Sequence, residues 1–248
     1  MKTKKKKIIR NIILIILFLL LCAAVYFFQF TGDGYLLTVP YRPSFREISD
    51  HVYINKNYSG DTEAALDTIE LAKARVKSFY GELRCLDDTF IIISDDPGVY
   101  KKTGEKDTHT LSLPEKRDYI SISENYLNID VIAHELTHAE LHSHLSIDAQ
   151  RTIPTWFDEG VATQNDYREK YSPENWAKLT DNGRNAVPIE NMDTPAEFYG
   201  GTVEDKVLRY TCAKHEIAEW LASHSVQELI GLVDKYNSGE DFYTLYGK

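Results

Sequence analysis

From Ile12 to Phe30 the chain is apolar without one charged residue, and Lys2, Lys4, Lys5, Lys6, Lys7 and Arg10 precede that run. A helix of about 17–20 apolar residues matches the hydrocarbon thickness of a bilayer, so a membrane-spanning helix is expected here. Basic residues gathered on its N-terminal side predict a cytoplasmic N-terminus, with the bulk of the chain outside. A cleaved signal peptide is the competing reading, but Tyr26-Phe27-Phe28-Gln29-Phe30 offers no small-x-small cleavage site. Lipid attachment at Cys22 is disfavoured by Leu21 before it and by the apolar run that continues past it.

Beyond the span the period changes. Residues 31–48 hold two Gly and two Pro with no sustained alternation, which reads as a linker. His51-Val52-Tyr53-Ile54 alternates like a short strand. From Asp61, apolar positions at Ala65, Ile69, Ala72, Val76, Phe79 and Tyr80 fall at helical spacing. The β-branched run Thr89–Ser94 predicts a central strand ended by Asp95-Asp96-Pro97-Gly98, and a polar loop or hairpin is expected as far as Asp118. Tyr119–Ser123 alternates as a half-exposed strand, and a helix is expected from about Leu127. Pro154 opens another helix through Trp156–Ala162, residues 165–200 are rich in turn formers, and helices are expected over Val207–Leu221 and Val226–Tyr236. The pattern divides the chain into a basic N-terminus and span (1–30), a linker (31–48) and one outer domain (49–248).

Charge and cysteine narrow the partners. Removing residues 1–30 takes six of the 28 basic residues and none of the 38 acidic ones, so the outer part carries about −16. Such a surface repels nucleic acid, and no nucleic-acid partner is expected. Of the three cysteines, Cys22 lies in the span, which leaves Cys85 and Cys212 as either a disulfide or two buried thiols.

The densest candidate chemistry is Ile132-Ala133-His134-Glu135-Leu136-Thr137-His138-Ala139. Residues four apart on a helix differ by about 40° and one turn, so His134 and His138 point at one place, as in the H-E-x-x-H arrangement of zinc hydrolases. Glu135 lies about 100° round from His134, offset as a general base should be. Ile129, Ile132, Leu136 and Ala139 form an apolar stripe roughly opposite the histidines. Two residues compete as third ligand. His144 has the spacing of the H-E-x-x-H-x-x-G-x-x-H branch, but Leu141 stands where that branch needs a turning glycine. His142 would lie about 12 Å along the axis from His134, so His142 and His144 read as ordinary, partly exposed histidines. The other candidate is Glu159, 21 residues after His138.

Trp156-Phe157-Asp158-Glu159-Gly160-Val161-Ala162 resembles the W-x-x-E-G-x-A segment of gluzincin metallopeptidases, the class that includes the M1 aminopeptidases and thermolysin. The order of strands and helices over about residues 50–248 is similar to a peptidase MA-like domain. The resemblance implies an α+β zincin-like fold: a small mixed sheet and active-site helix in an N-terminal lobe, and a helical C-terminal lobe. It implies one zinc ion per chain on His134, His138 and Glu159, with Glu135 as the base in hydrolysis of a peptide or protein. It also implies a sheet-edge strand at Tyr119–Ser123 that pairs with substrate, and an oxyanion donor from the C-terminal lobe, for which Tyr210 is the candidate and His215 the reserve. One departure is plain: thermolysin-type enzymes carry an aspartate four residues after the ligand glutamate, and Thr163 stands there. Support for a ligand histidine then falls to Asp158 or Asp130. No G-x-M-E-N-like segment precedes the motif, which favours an endopeptidase or a dedicated protein substrate over an aminopeptidase. The rival expectations are a catalytically silent cell-surface binding module with residues 165–205 as its recognition surface, and a membrane sensor.

Overall fold

The computed structural model describes residues 2–85, 88–95, 108–113 and 117–247. Residues 96–107 and 114–116, within the expected loop or hairpin before Asp118, lie outside the described residues. The elements in order are α1 (Lys2–Phe30), α2 (Gly32–Thr38), β1 (Phe45–Ser49), β2 (Val52–Asn55), α3 (Thr62–Tyr80), β3 (Phe90–Ile93), β4 (Thr108–Leu113), β5 (Arg117–Ile122), α4 (Ile129–Ser143), α5 (Ile147–Thr152), α6 (Thr155–Thr163), α7 (Pro173–Leu179), α8 (Pro195–Tyr199), α9 (Val203–Leu221), α10 (Val226–Asn237) and α11 (Phe242–Tyr246). The chain is therefore α+β. It separates into two compact units: Met1–Tyr58 with Ile91–Leu111 and Tyr119–Asn125, and Ser59–Phe90 with Ser112–Asp118 and Tyr126–Lys248.

The first unit carries the N-terminal helix, whose stretch Lys6–Phe30 is long and apolar enough to cross a membrane. The stretch expected as a linker is folded. Thr31 caps α2 by accepting from Gly34 N at 3.1 Å while its hydroxyl donates to Phe27 O at 2.7 Å. Tyr35, Leu36 and Val39 are buried, and Arg42 lies over the Tyr35 ring at 3.7 Å. Gly34, which suggested flexibility, serves close packing instead, because a Cβ there would strike the backbone of Phe27 and Phe28.

The sheet has the order β1-β2-β3-β5-β4. β1 runs antiparallel to β2, with an irregularity between Glu47 and Ser49, and β2 runs parallel to β3 with Val52 opposite Ile91. The expected central strand, β3, is central, and Phe90–Ile93 are buried throughout. Tyr119–Ser123 departs from expectation twice. It is fully buried rather than half-exposed, from Tyr119 to Ser123, and it is no edge, since β4 lies outside it and the edges are β1 and β4. Its alternation of Ile with Ser follows the small polar residues tolerated on a covered face, so period alone misjudged its exposure.

The second unit is helical around α4. Asn128 caps this helix by accepting from Val131 N at 3.0 Å. Along it only Ile129, Asp130, Glu135 and His142 are not buried, so the helix is enclosed nearly all round rather than on one stripe. That enclosure groups α4 with α3 and α6 in the helical unit, not with the sheet in an N-terminal lobe. Tyr80 of α3 donates to Thr137 O at 3.3 Å, and Asn165, just beyond α6, donates to Thr137 Oγ1 at 2.9 Å.

The thiols Cys85 and Cys212 are buried and unbridged. On the other side of α6 lies α9, started by a capping box between Thr202 and Asp205. The two helices meet at Gly160, where a Cβ would sit 2.7 Å from Ala213 O and 2.8 Å from Ile217 Cγ1. One of those neighbours is backbone and cannot swing away. Gly160→Ala is therefore expected to destabilise the protein by about 1–3 kcal/mol, read as a thermal midpoint lowered by several degrees; an unchanged midpoint would show that α6 and α9 do not approach this closely.

Candidate metal centre

The i, i+4 spacing on α4 brings the two imidazoles together as geometry requires: His134 Nε2 and His138 Nε2 are 3.2 Å apart. Glu159 comes from the middle of α6, which Pro154 opens. The first amides of that helix donate outward, Thr155 N to Asp193 O at 2.8 Å and Trp156 N to Met192 O at 3.1 Å. Glu159 Oε2 lies 3.3 Å from His134 Nε2 and 3.4 Å from His138 Nε2. All three side chains are nearly enclosed.

The triangle with sides of 3.2, 3.3 and 3.4 Å has a specific meaning. Bonds of about 2.0–2.1 Å to a tetrahedral zinc ion set its donor atoms roughly 3.3–3.4 Å apart. Two facing Nε2 atoms also cannot both donate to each other, so something positive must lie between them: a proton or a cation. Among the described residues, buried Glu159 Oε2 makes no well-aligned hydrogen bond and faces only the two imidazole nitrogens, an arrangement that is costly unless a proton or cation between them takes its lone pair. The donor set of two imidazoles and one carboxylate fits zinc.

A second group, His138, His142 and Asp158, also gathers potential ligands. Its distances are those of hydrogen bonds. Asp158 Oδ1 lies 2.7 Å from His138 Nδ1, and His142 Nε2 lies 3.1 and 3.0 Å from the two Asp158 oxygens. Ser112 Oγ lies 3.3 Å from His142 Nδ1. A proton on His138 Nδ1 facing Asp158 leaves the Nε2 lone pair free for a metal, which is how an orienting carboxylate acts. His142 is therefore no ordinary exposed histidine; it bonds the carboxylate behind His138. Sequence reasoning ruled it out as a ligand and missed this role, which the i, i+4 step from His138 to His142 already encodes.

Of the two aspartates weighed as support, Asp158 is at the site. Asp130 instead pairs with Arg75 at 2.6 Å and accepts from Tyr167 N at 3.2 Å. Asp166, not anticipated, lies 3.9 Å from His134 Nδ1 and is fully buried against Arg168, which donates Nε to both its oxygens at 2.9 and 3.0 Å. It follows Glu159 by seven residues, past the position held by Thr163, whose hydroxyl donates to Glu159 O. His144, the rival third ligand, turns away from the triangle and sits 3.4 Å from buried Glu140. Glu140 is held in turn by Arg84 N at 2.8 Å and Cys85 N at 3.3 Å.

Glu135 is half-buried, unlike its neighbours His134 and Leu136. Tyr210 of α9 stands beside the triangle, its ring 6.2 Å from His134, between Tyr171 at 5.3 Å and Phe198 at 4.9 Å. Burial, then the charge of Glu159, holds its phenol well above the ordinary value, so it stays a donor. His215 is no substitute: it stacks on Trp176 with centroids 3.5 Å apart. Tyr199, also missed from sequence, donates its hydroxyl to Glu159 Oε1.

Charge is concentrated here. Burial opposes the carboxylates of Asp158 and Glu159, but His142 and His138 beside Asp158, and His138 and His134 beside Glu159, outweigh it and hold both far below the usual range. Burial likewise opposes a charged His138, yet Asp158 and Glu159 hold it well above the ordinary imidazole value. With its folded pKa raised, His138 contributes stability that is complete below about pH 6.5 and disappears as pH rises through the raised value. Asp158 and Glu159, with lowered values, contribute stability that is present above about pH 4 and disappears as pH falls through theirs. Chelator-treated protein is therefore expected to lose stability on the alkaline side before carboxylate-linked loss appears in acid, measured by urea unfolding from pH 5 to 9. Added zinc should remove the alkaline loss, because it takes the place of the proton; a flat chelated profile would refute the coupling.

Neither a protein-family model nor a curated protein sequence matches this chain.

Proposed function

We propose that this chain is a membrane-anchored zinc metallopeptidase of the gluzincin type, with a zincin-like catalytic fold. The observation that carries the reading is the donor triangle of His134, His138 and Glu159, with one buried carboxylate oxygen unsatisfied at its corner. A half-buried glutamate one residue from a ligand histidine, and a protonated tyrosine beside it, supply the remaining groups that peptide hydrolysis needs.

His134, His138 and Glu159 would hold one zinc ion, which as a Lewis acid polarises water and the scissile carbonyl. Glu135 accepts a proton from the attacking water and delivers it to the leaving amine. Tyr210 donates its hydroxyl to the carbonyl oxygen as negative charge develops there. Asp158 fixes the His138 ring through Nδ1, and His142 fixes Asp158. The substrate is a peptide or protein. The basic residues before α1 favour a cytoplasmic N-terminus, with the catalytic part outside the membrane.

The test uses the full chain in detergent. The wild type is expected to contain about one zinc per chain; Glu159→Ala should lose most of it, and His144→Ala should keep it. Loss with His144→Ala and retention with Glu159→Ala would assign the third ligand to the wrong residue here. Glu135→Gln should retain zinc and lose roughly 100-fold or more of peptide hydrolysis. A wild type that takes up no zinc would leave the binding-module reading in its place.

A further inference from the structure

Glu159 uses its two oxygens differently. Oε2 faces the two imidazoles, whereas Oε1 accepts the Tyr199 hydroxyl. We infer that Tyr199 is a positioning residue that keeps Glu159 a one-oxygen metal ligand and so protects the open coordination position of the site; this rests on the zinc reading above. A carboxylate free at both oxygens can close on a cation with both, taking the position that a catalytic zinc reserves for water or substrate. A hydroxyl bonded to Oε1 opposes that closure directly.

The chain fixes this hydroxyl with unusual care for a residue 40% exposed. Tyr199 ends α8, whose start is closed by a capping box between Thr194 and Glu197 with Pro195 in the first turn. The adjoining Phe198 is fully buried against Tyr210. Arg209 of α9 clamps the end of α8 by donating to Phe198 O at 2.6 Å and to Gly200 O. Gly201, at φ +81°, turns the chain into α9. Just upstream, the carbonyls of Met192 and Asp193 accept from the first amides of α6, the helix that bears Glu159. Hydroxyl and carboxylate are thus held in register by the same segment. Tyr210 does not hold Glu159 in this way, since among the described residues its contacts are with the rings of His134, Tyr171 and Phe198.

Tyr199→Phe keeps the ring and removes the hydroxyl alone. In the full chain in detergent, zinc affinity measured by chelator competition is expected to weaken roughly 10- to 100-fold, with the melting temperature of the metal-free protein lowered by only a few degrees, as loss of one hydrogen bond allows. In the cobalt-substituted protein the visible d–d bands should weaken as the ion gains a ligand oxygen. Wild-type affinity together with a wild-type cobalt spectrum in the variant would overturn the inference while leaving the zinc site standing. So would lost turnover with unchanged affinity and spectrum, which would make Tyr199 a transition-state donor instead. A wild type that binds neither zinc nor cobalt would remove the zinc reading itself, and the inference with it.

Discussion

Two neighbouring carboxylates, buried Glu159 and half-buried Asp158, stand beside three imidazoles, and this concentration of opposed charge is the constraint on which the helical unit depends. Taking a carboxylate out of water costs several kcal/mol unless partners meet it with good geometry. Here each carboxylate meets two histidines, and all three histidines come from one face of α4. The arrangement leaves little freedom. If α6 slid by one residue along α4, Phe157 or Gly160 would take the place of one carboxylate, and the imidazoles would lose half of the negative charge that faces them.

The remaining contacts of that unit read as means of holding the register. Gly160 lets α6 lie against α9 at backbone distance. Asn165 ties the end of α6 to Thr137 in the middle of α4. Arg75 spans from α3 to Asp130 at 2.6 Å and to Asn165 O at 2.8 Å, so one guanidinium fixes the first turn of α4 and the exit from α6 together. Buried charge and close backbone approach reinforce one another. The glycine permits the proximity that the carboxylates require, and the carboxylates exclude any register in which the glycine would be unnecessary.

What could be read from the sequence was whatever depends on local spacing. The i, i+4 histidines, the β-branched run of β3 and the helix start at Asp61 all express distances along the chain, while the Glu159-Gly160 pair was singled out by resemblance. What could not be read depends on neighbours distant in sequence. Tyr199 meets Glu159 across 40 residues, and α8 is too short to carry a period. Asp166 lies outside the helix that would have placed it at a familiar spacing. The interior place of β5 follows from strand order, which no single strand encodes. Residues 31–48 were hidden for another reason: Tyr35, Leu36, Val39 and Phe45 are core residues, but the glycines and prolines between them mask the period of each short element.

Cys85 and Cys212 show how the fold isolates reactive groups it does not use. Burial, reinforced at Cys85 by the charge of Glu140, raises both thiols above their ordinary value. Thiolate is the form that oxidants attack and that itself attacks disulfides. A helical unit whose two thiols remain protonated and enclosed has the same covalent structure in reducing and oxidising surroundings, while Cys22 of α1 is exposed and lies outside this protection. That unit needs no oxidant or isomerase to mature, so its fold is indifferent to the redox poise of the compartment that holds it.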